Sequence, residues 1–148
     1  METKIPPPIV TLTFGLSIYF SREMFPAIEI QHSLYLGIFL LISGFFILVS
    51  AVRLFRKDKT TVNPLSPEQA TTLVTDGIFK YSRNPMYLGM AIVLSSIAVF
   101  FNLLGGIILI ALFCAYITKF QILPEERAMR DLFSDDFDKY SKVTRRWI

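Results

Sequence analysis

Two long stretches of the chain, Ser33 to Val52 and Asn84 to Thr118, contain no Asp, Glu, Lys or Arg. Uncharged runs of this length read as membrane spans. A third apolar stretch, Ile9 to Phe20, follows Lys4. It lacks a small-residue cleavage site and continues into Ser21-Arg22-Glu23, so it reads as a helix and not as a removable leader. Pro6, Pro7 and Pro8 suit the first turn of that helix, and Pro26 lies beyond its end, which predicts a helix over 8–25. A second helix is predicted over 33–55. Gly37, Ser43 and Gly44 give it a small-residue surface, and Arg53, Arg56, Lys57 and Lys59 mark its end.

The run from Asn84 to Thr118 is about 35 residues, or about 50 Å as one helix, against a hydrocarbon core of about 30 Å. One span is too long. Asn102 and Gly105-Gly106 offer a hinge, so the run predicts a hairpin of helices over 85–101 and 104–123. The polar loop over 56–84 carries turn signals at Asn63-Pro64, Ser66-Pro67 and Asp76-Gly77, with one helical turn around Glu68 to Leu73. After Pro124 the chain becomes charged, with Leu132, Phe133, Phe137, Tyr140 and Trp147 spaced among Asp, Lys and Arg. The region 124–148 reads as an interfacial helical tail. The expected fold is therefore all-α: one membrane-embedded domain with four short transmembrane helices and a C-terminal interfacial segment.

Composition agrees, with 53% hydrophobic and only 18% charged residues. The net charge of +3 bears on topology and not on a nucleic-acid partner. With four helices, both termini and the 56–84 loop share one side, and of 15 Lys and Arg residues only Arg22 falls on the other. Basic residues favour the cytoplasm, which places the polar motifs there. The single Cys114 excludes an internal disulfide and a cysteine-based zinc site, and reads as a packing residue. No metal site is expected. His32, the one histidine, falls on the opposite side from the motifs.

Two polar clusters stand on the cytoplasmic side. Lys80-Tyr81-Ser82-Arg83-Asn84-Pro85-Met86-Tyr87-Leu88-Gly89 opens the third helix, and Pro124-Glu125-Glu126-Arg127 closes the fourth. As the two open ends of a hairpin they must lie near one another. Their inventory suits a zwitterion carrying an aromatic base. Arg83 and a helix N-terminus would hold a carboxylate, Glu125 or Glu126 an ammonium, and the face of Tyr87 a sulfonium. The same residues also have a structural reading: Glu complements a helix dipole, Arg snorkels and Tyr joins an interfacial belt.

The run from Leu73 to Gly89, with Arg83-Asn84-Pro85-Met86-Tyr87-Leu88-Gly89 at its end, resembles the signature of the isoprenylcysteine carboxyl methyltransferase and phospholipid methyltransferase superfamily. Glu125-Glu126, Phe133, Tyr140 and Arg146-Trp147-Ile148 are similar to that superfamily's closing pattern. The resemblance spans about Thr60 to Ile148 and implies a membrane methyltransferase that binds S-adenosylmethionine, with a lipophilic or lipid-like acceptor entering from the bilayer. By this likeness Arg83, Asn84, Pro85, Tyr87, Glu125 and Glu126 are cofactor-site residues. Arg83, Tyr87 and Arg146 are the residues of the transfer centre, and Arg145 lies near them or near lipid headgroups. Asn84 stands where the isoprenylcysteine enzymes have His.

No Gly-rich strand-to-helix fingerprint of a doubly wound nucleotide fold is present, which points to a different cofactor pocket. Methyl transfer from a sulfonium asks for alignment, desolvation and charge placement. A carboxylate or thiolate acceptor is already nucleophilic, and an amine must first lose a proton. Two alternatives remain open on sequence. One is an NADPH-dependent membrane reductase of related architecture, which would need basic residues for a 2'-phosphate. The other is a small four-helix transporter, which would carry an ionisable residue deep in a helix.

Overall fold

The computed structural model describes residues 5–28, 31–58 and 67–148. Helix α1 spans Pro7–Phe20, α2 Ser33–Lys57, α3 Pro85–Phe101, α4 Leu103–Ile117 and α5 Leu123–Val143. Among the described residues there is no strand, and the fold is all-helical.

Pro7 occupies the first turn of α1, where a missing N–H costs nothing. Along the helix Thr11, Thr13 and Ser17 return their hydroxyls to the carbonyls of Pro7, Ile9 and Thr13, each at 2.9 Å. Polar side chains thus find partners without leaving the helix. The α-helical part stops at Phe20 and a 3-10 turn covers Ser21–Met24, so α1 is about 21 Å long. The first helix is shorter than the expected 8–25 because its last turn tightens.

Helix α2 is apolar nearly all round, yet only Gly37, Gly44 and Ala51 are buried. Gly37 and Gly44 face α3, and Ser96 of α3 donates to the Gly37 carbonyl at 2.7 Å. At the tightest point a Cβ on Gly44 would stand 2.9 Å from the Gly89 carbonyl oxygen, and a Cβ on Gly89 would stand 2.9 Å from that of Gly44. Two glycines here let the two backbones touch. The outer face of α2 presents Tyr35, Phe39, Ile42 and Phe46, an exposed apolar surface of the kind that suits contact with lipid. Among the described residues, α2 and the continuous helix that begins with α4 are long and apolar enough to cross a membrane, and α3 is a shorter apolar helix.

The break between α3 and α4 falls at Asn102, which ends one helix and begins the next. Its Oδ1 accepts from the Gly105 N–H at 3.0 Å, and its Nδ2 donates to Ser21 Oγ at 3.1 Å. Gly106 then passes against Ala98 with no room for a side chain. Ile18, Leu94, Phe113, Ile117 and Ile122 are fully buried between α1, α3 and α4 and form the upper core.

The fourth helix does not stop near 123 as expected. It runs on through a π-helical turn over Thr118–Ile122 into α5, with Pro124 in the first turn of the new segment. A proline needs the backbone at i−4 to move aside, and the wider π turn provides that displacement. At Ser134, with φ 39° and ψ −112°, α5 bends sharply. The bend returns Phe137 and Tyr140 to a second, lower core with Ala51, Val74 and Phe79. The 124–148 region is therefore a hook that folds under the bundle and packs against it.

In the connection between α2 and α3, Gly77 adopts φ +58° and faces Leu54, whose Cδ1 would lie 2.8 Å from an added Cβ. The Asp76-Gly77 turn accordingly has a steric reason to be glycine. Instead of a helical turn over Glu68 to Leu73 there is a 3-10 turn at Pro67–Gln69. The expected turn at Asn63-Pro64 lies outside the described residues, as does Ser66 of the Ser66-Pro67 turn.

Candidate functional site at the open end of the hairpin

A cleft of about 860 Å³, its mouth included, opens where α3 begins and α5 departs. Phe55, Phe79, Met86, Met129 and Phe137 give it apolar walls, and Arg83, Asn84, Tyr87, Glu125 and Glu126 supply the polar groups. Pro85 starts α3, and no side chain caps that N-terminus, so its partial positive charge is directed at the cleft.

Glu126 is bound on both oxygens. Arg83 Nη2 donates to Oε1 at 2.7 Å, Arg146 Nε donates to Oε1 at 2.9 Å, and Arg146 Nη2 donates to Oε2 at 2.7 Å. Burial would raise the Glu126 carboxyl, but the hydrogen bonds from Arg146 and Arg83 and their two charges overcome it and hold it below its ordinary value. Both Arg83 and Glu126 are only 12% exposed, which makes this a shielded ion pair and not a surface bridge.

Arg83 spends its remaining terminal donors on backbone. Its Nη1 donates to the carbonyls of Ser141 at 2.9 Å and Thr144 at 2.8 Å, while its own N–H donates to the Arg145 carbonyl at 3.0 Å. Asn84 Nδ2 donates to the Arg146 carbonyl at 2.9 Å, and the Asn84 N–H donates to Ser82 Oγ at 3.1 Å. Tyr140 OH donates to the Phe79 carbonyl at 2.6 Å. At the far end Trp147 Nε1 donates to Thr118 Oγ1 at 3.2 Å. Together these bonds clasp the strap Thr144–Ile148 across the base of α3. The Arg83 Nε atom is buried and has no partner among the described residues.

Glu125 behaves differently from its neighbour. The Tyr87 hydroxyl donates to its Oε1 across the α3 to α5 gap. Burial pushes the Glu125 carboxyl up to about 7, with the Tyr87 hydrogen bond acting in the opposite sense and the Glu126 charge adding to the rise. Two adjacent carboxylates thus have separated environments, one locked as an anion and one titrating near neutrality.

The structure therefore brings Arg83, Asn84, Pro85, Tyr87, Glu125, Glu126 and Arg146 into one neighbourhood. Arg145 joins them through its carbonyl. What the residue pattern does not reveal is the role of Ser141 and Thr144, whose contribution is a backbone oxygen that every residue carries. Of the aromatic walls Phe55 and Phe79, in T-shaped contact at 5.1 Å, Phe55 comes from a segment with no motif, and Phe79 lies inside the Leu73 to Gly89 run without standing out there. Among the described residues no group of His, Cys, Asp and Glu is arranged to hold a metal ion.

No curated protein and no solved structure matches the chain. The family of phospholipid methyltransferases matches residues 32–136, from the start of α2 into the hook. That match covers most of the chain and includes α2, α3, α4, Tyr87, Glu125 and Glu126, so the protein belongs to the phospholipid methyltransferase family, a family of membrane methyltransferases.

Proposed function

We propose that this protein is an S-adenosylmethionine-dependent methyltransferase of a lipid-like acceptor. Its four short helices cross the membrane, and both termini and the cleft lie on the cytoplasmic side. The observation that carries the reading is the convergence of an uncapped helix N-terminus, a buried unpaired guanidinium N–H and a titrating carboxylate on one apolar-walled cleft. The distribution of basic residues supports the orientation, since Arg53, Arg56, Lys57 and the hook share the end of the bundle at which the cleft opens.

The donor set fits the cofactor. The start of α3 and Arg83 Nε–H would receive an amino-acid carboxylate, and the aromatic walls would flank an adenine ring. When bound, S-adenosylmethionine supplies a methyl carbon already activated by its sulfonium. The protein's part is to align, to exclude water and to keep its charges in place. Arg83 and Arg146 do this at one remove, by fixing Glu126, with Arg83 also tying the strap to the start of α3. Asn84 does the same through the Arg146 carbonyl. The acceptor would reach the cleft from the bilayer and lie against its apolar walls, Phe55 and Met129 among them.

The test is calorimetric titration of the protein in lipid nanodiscs with S-adenosylhomocysteine and, separately, with NADPH. Saturable binding of the adenosyl ligand with none of NADPH is the expected result. Binding of NADPH alone would replace this reading by the reductase one. Reporter fusions within residues 67–76 should report the cytoplasm.

A further inference from the structure

We propose that the seam between the strap and the 3-10 turn Gly77–Lys80 is a docking surface for anionic lipid headgroups of the cytoplasmic leaflet. The inference rests on the proposed membrane placement and concerns a face of the hook that methyl transfer does not use.

Depth follows from helix length. Helix α3 has 17 residues and α4 has 15, or about 25 and 22 Å, both short of a hydrocarbon core of about 30 Å. The strap starts at the base of α3, where the Arg145 carbonyl accepts the Arg83 N–H at 3.0 Å. It ends beyond the close of α4, where Trp147 Nε1 donates to Thr118 Oγ1. The strap therefore crosses the bundle end at the level where hydrocarbon gives way to headgroups.

At this level the exposed side chains are basic and apolar together. Along the distal half of α5 charge is segregated: Asp135, Asp136 and Asp138 stand beside the bend, and Lys139, Lys142 and Arg145 follow toward the strap. Lys139, Lys142 and Val143 are spaced i, i+3 and i+4 and share one helix face. Lys80 comes alongside them, since its carbonyl lies 3.5 Å from Thr144 Oγ1, and Lys80, Lys139 and Val143 line one shallow hollow. Tyr81 and Val143 are 78% and 81% exposed. Asp76 stands 3.2 Å from Lys80, and Asp136, also in the hollow, 3.7 Å from Lys139. All four of these side chains are well exposed, and surface pairs of this kind hold weakly. Lys142 and Arg145 have no ion pair among the described residues, so their charges are left for a ligand.

Cations at the bilayer surface attract anionic headgroups, and a Tyr ring and a Val side chain beside them gain by entering the acyl boundary. Phosphatidylglycerol offers a phosphate with no ammonium of its own, whereas phosphatidylcholine brings a cation to the same place. The seam is also what Arg83 and Asn84 hold, through the carbonyls of Arg145 and Arg146 at 3.0 and 2.9 Å. A headgroup bridging Lys80 and Arg145 would brace the hydrogen bonds that close the strap on α3.

The experiment uses the full chain in vesicles of phosphatidylcholine and phosphatidylglycerol at one fixed headgroup composition. In one set the phosphatidylglycerol is brominated near the headgroup end of its acyl chains, and in the other an equal share of the phosphatidylcholine is. Trp147, the single tryptophan of the chain, reads quenching at the strap, and a Tyr81→Trp/Trp147→Phe chain reads it at the seam itself. Brominated phosphatidylglycerol should quench more in both, with a relative affinity about threefold or more above phosphatidylcholine, and high salt should shrink the difference. Lys142→Gln/Arg145→Gln should remove the preference, while Arg53→Gln/Arg56→Gln, at the end of α2, should leave it unchanged. Equal quenching by the two lipids in the wild type overturns the proposal alone. So does a preference that survives the first double substitution or disappears in the second. Absence of quenching by either lipid takes the strap away from the bilayer and overturns the membrane placement with it. No arm needs an adenosyl ligand, so a failure of the methyltransferase reading is read separately, by the calorimetric titration.

Discussion

A carboxyl group that resists ionisation is a cost to the fold, and at the residue scale Glu125 carries that cost. Its ordinary value is 4.5, and in the folded protein burial raises it to about 7. At pH 4.5 and below the group is largely protonated in both states. As the pH rises toward 7 the unfolded chain loses a proton that the folded one keeps, so stability falls, and above about 7 the deficit is constant at about 3 kcal/mol. Glu125→Gln should therefore melt at a higher temperature than the wild type at pH 8, with the gap narrowing by pH 5, in thermal unfolding of the detergent-solubilised protein. A stabilising substitution at a functional residue is the expected trade. Gly77 shows the reverse case. Its φ of +58° and the Leu54 side chain against it leave no place for a methyl group, and Gly77→Ala should cost about 1–2 kcal/mol in the same assay.

Elements were legible in the sequence to the degree that side chains alone specify them. The charge-free run with Asn102 and Gly105-Gly106 near its middle yields a hairpin because Asn is a strong helix N-cap and the Gly pair admits close helix contact. Asn102→Ala removes the bonds to the Gly105 N–H and Ser21 Oγ and should cost about 1–2 kcal/mol, read as a lower midpoint of unfolding with unchanged helix content by circular dichroism. The continuation of α4 into α5 was not legible. Pro124 reads by local rules as the end of one helix or the start of the next, and it does stand in the first turn of α5, but the π turn that keeps the two segments continuous has no residue signature. The bend at Ser134 has no residue signature either, since the left-handed region normally selects Gly or Asn. The two motif clusters were recognisable by residue type, but the partners of Arg83 were not, because carbonyls 58 and 61 positions away are identical in every sequence.

For the whole molecule the decisive feature is that an apolar bundle and a polar hook share one seam. The bundle is glued by small residues and covered by lipid, while the hook is attached by ion pairs and backbone acceptors around Arg83. Ending the chain after Val143 removes the Thr144 carbonyl, Arg146 and the Trp147 bond to Thr118, and takes Trp147 from the edge of the bundle core while leaving its buried residues in the chain. The truncated protein should insert in membranes and retain its helical circular dichroism, yet lose at least about tenfold in affinity for S-adenosylhomocysteine by calorimetry. If its affinity were unchanged, the strap would have no part in shaping the cleft.

The π turn over Thr118–Ile122 sets an angular phase as well as admitting a proline. One surplus residue in a helix advances everything after it by about 100° around the axis. Counted from Asn102, the facing direction of Glu125 and Glu126 is thus an arithmetic property of the segment between them, independent of which apolar residues fill it. Deleting a single residue from the regular part of α4, outside the π turn, would preserve hydropathy and helix while rotating both carboxylates away from Tyr87 and Arg83. Chain length between the hinge and the Glu pair is therefore under tighter constraint than the identity of the residues that make it up.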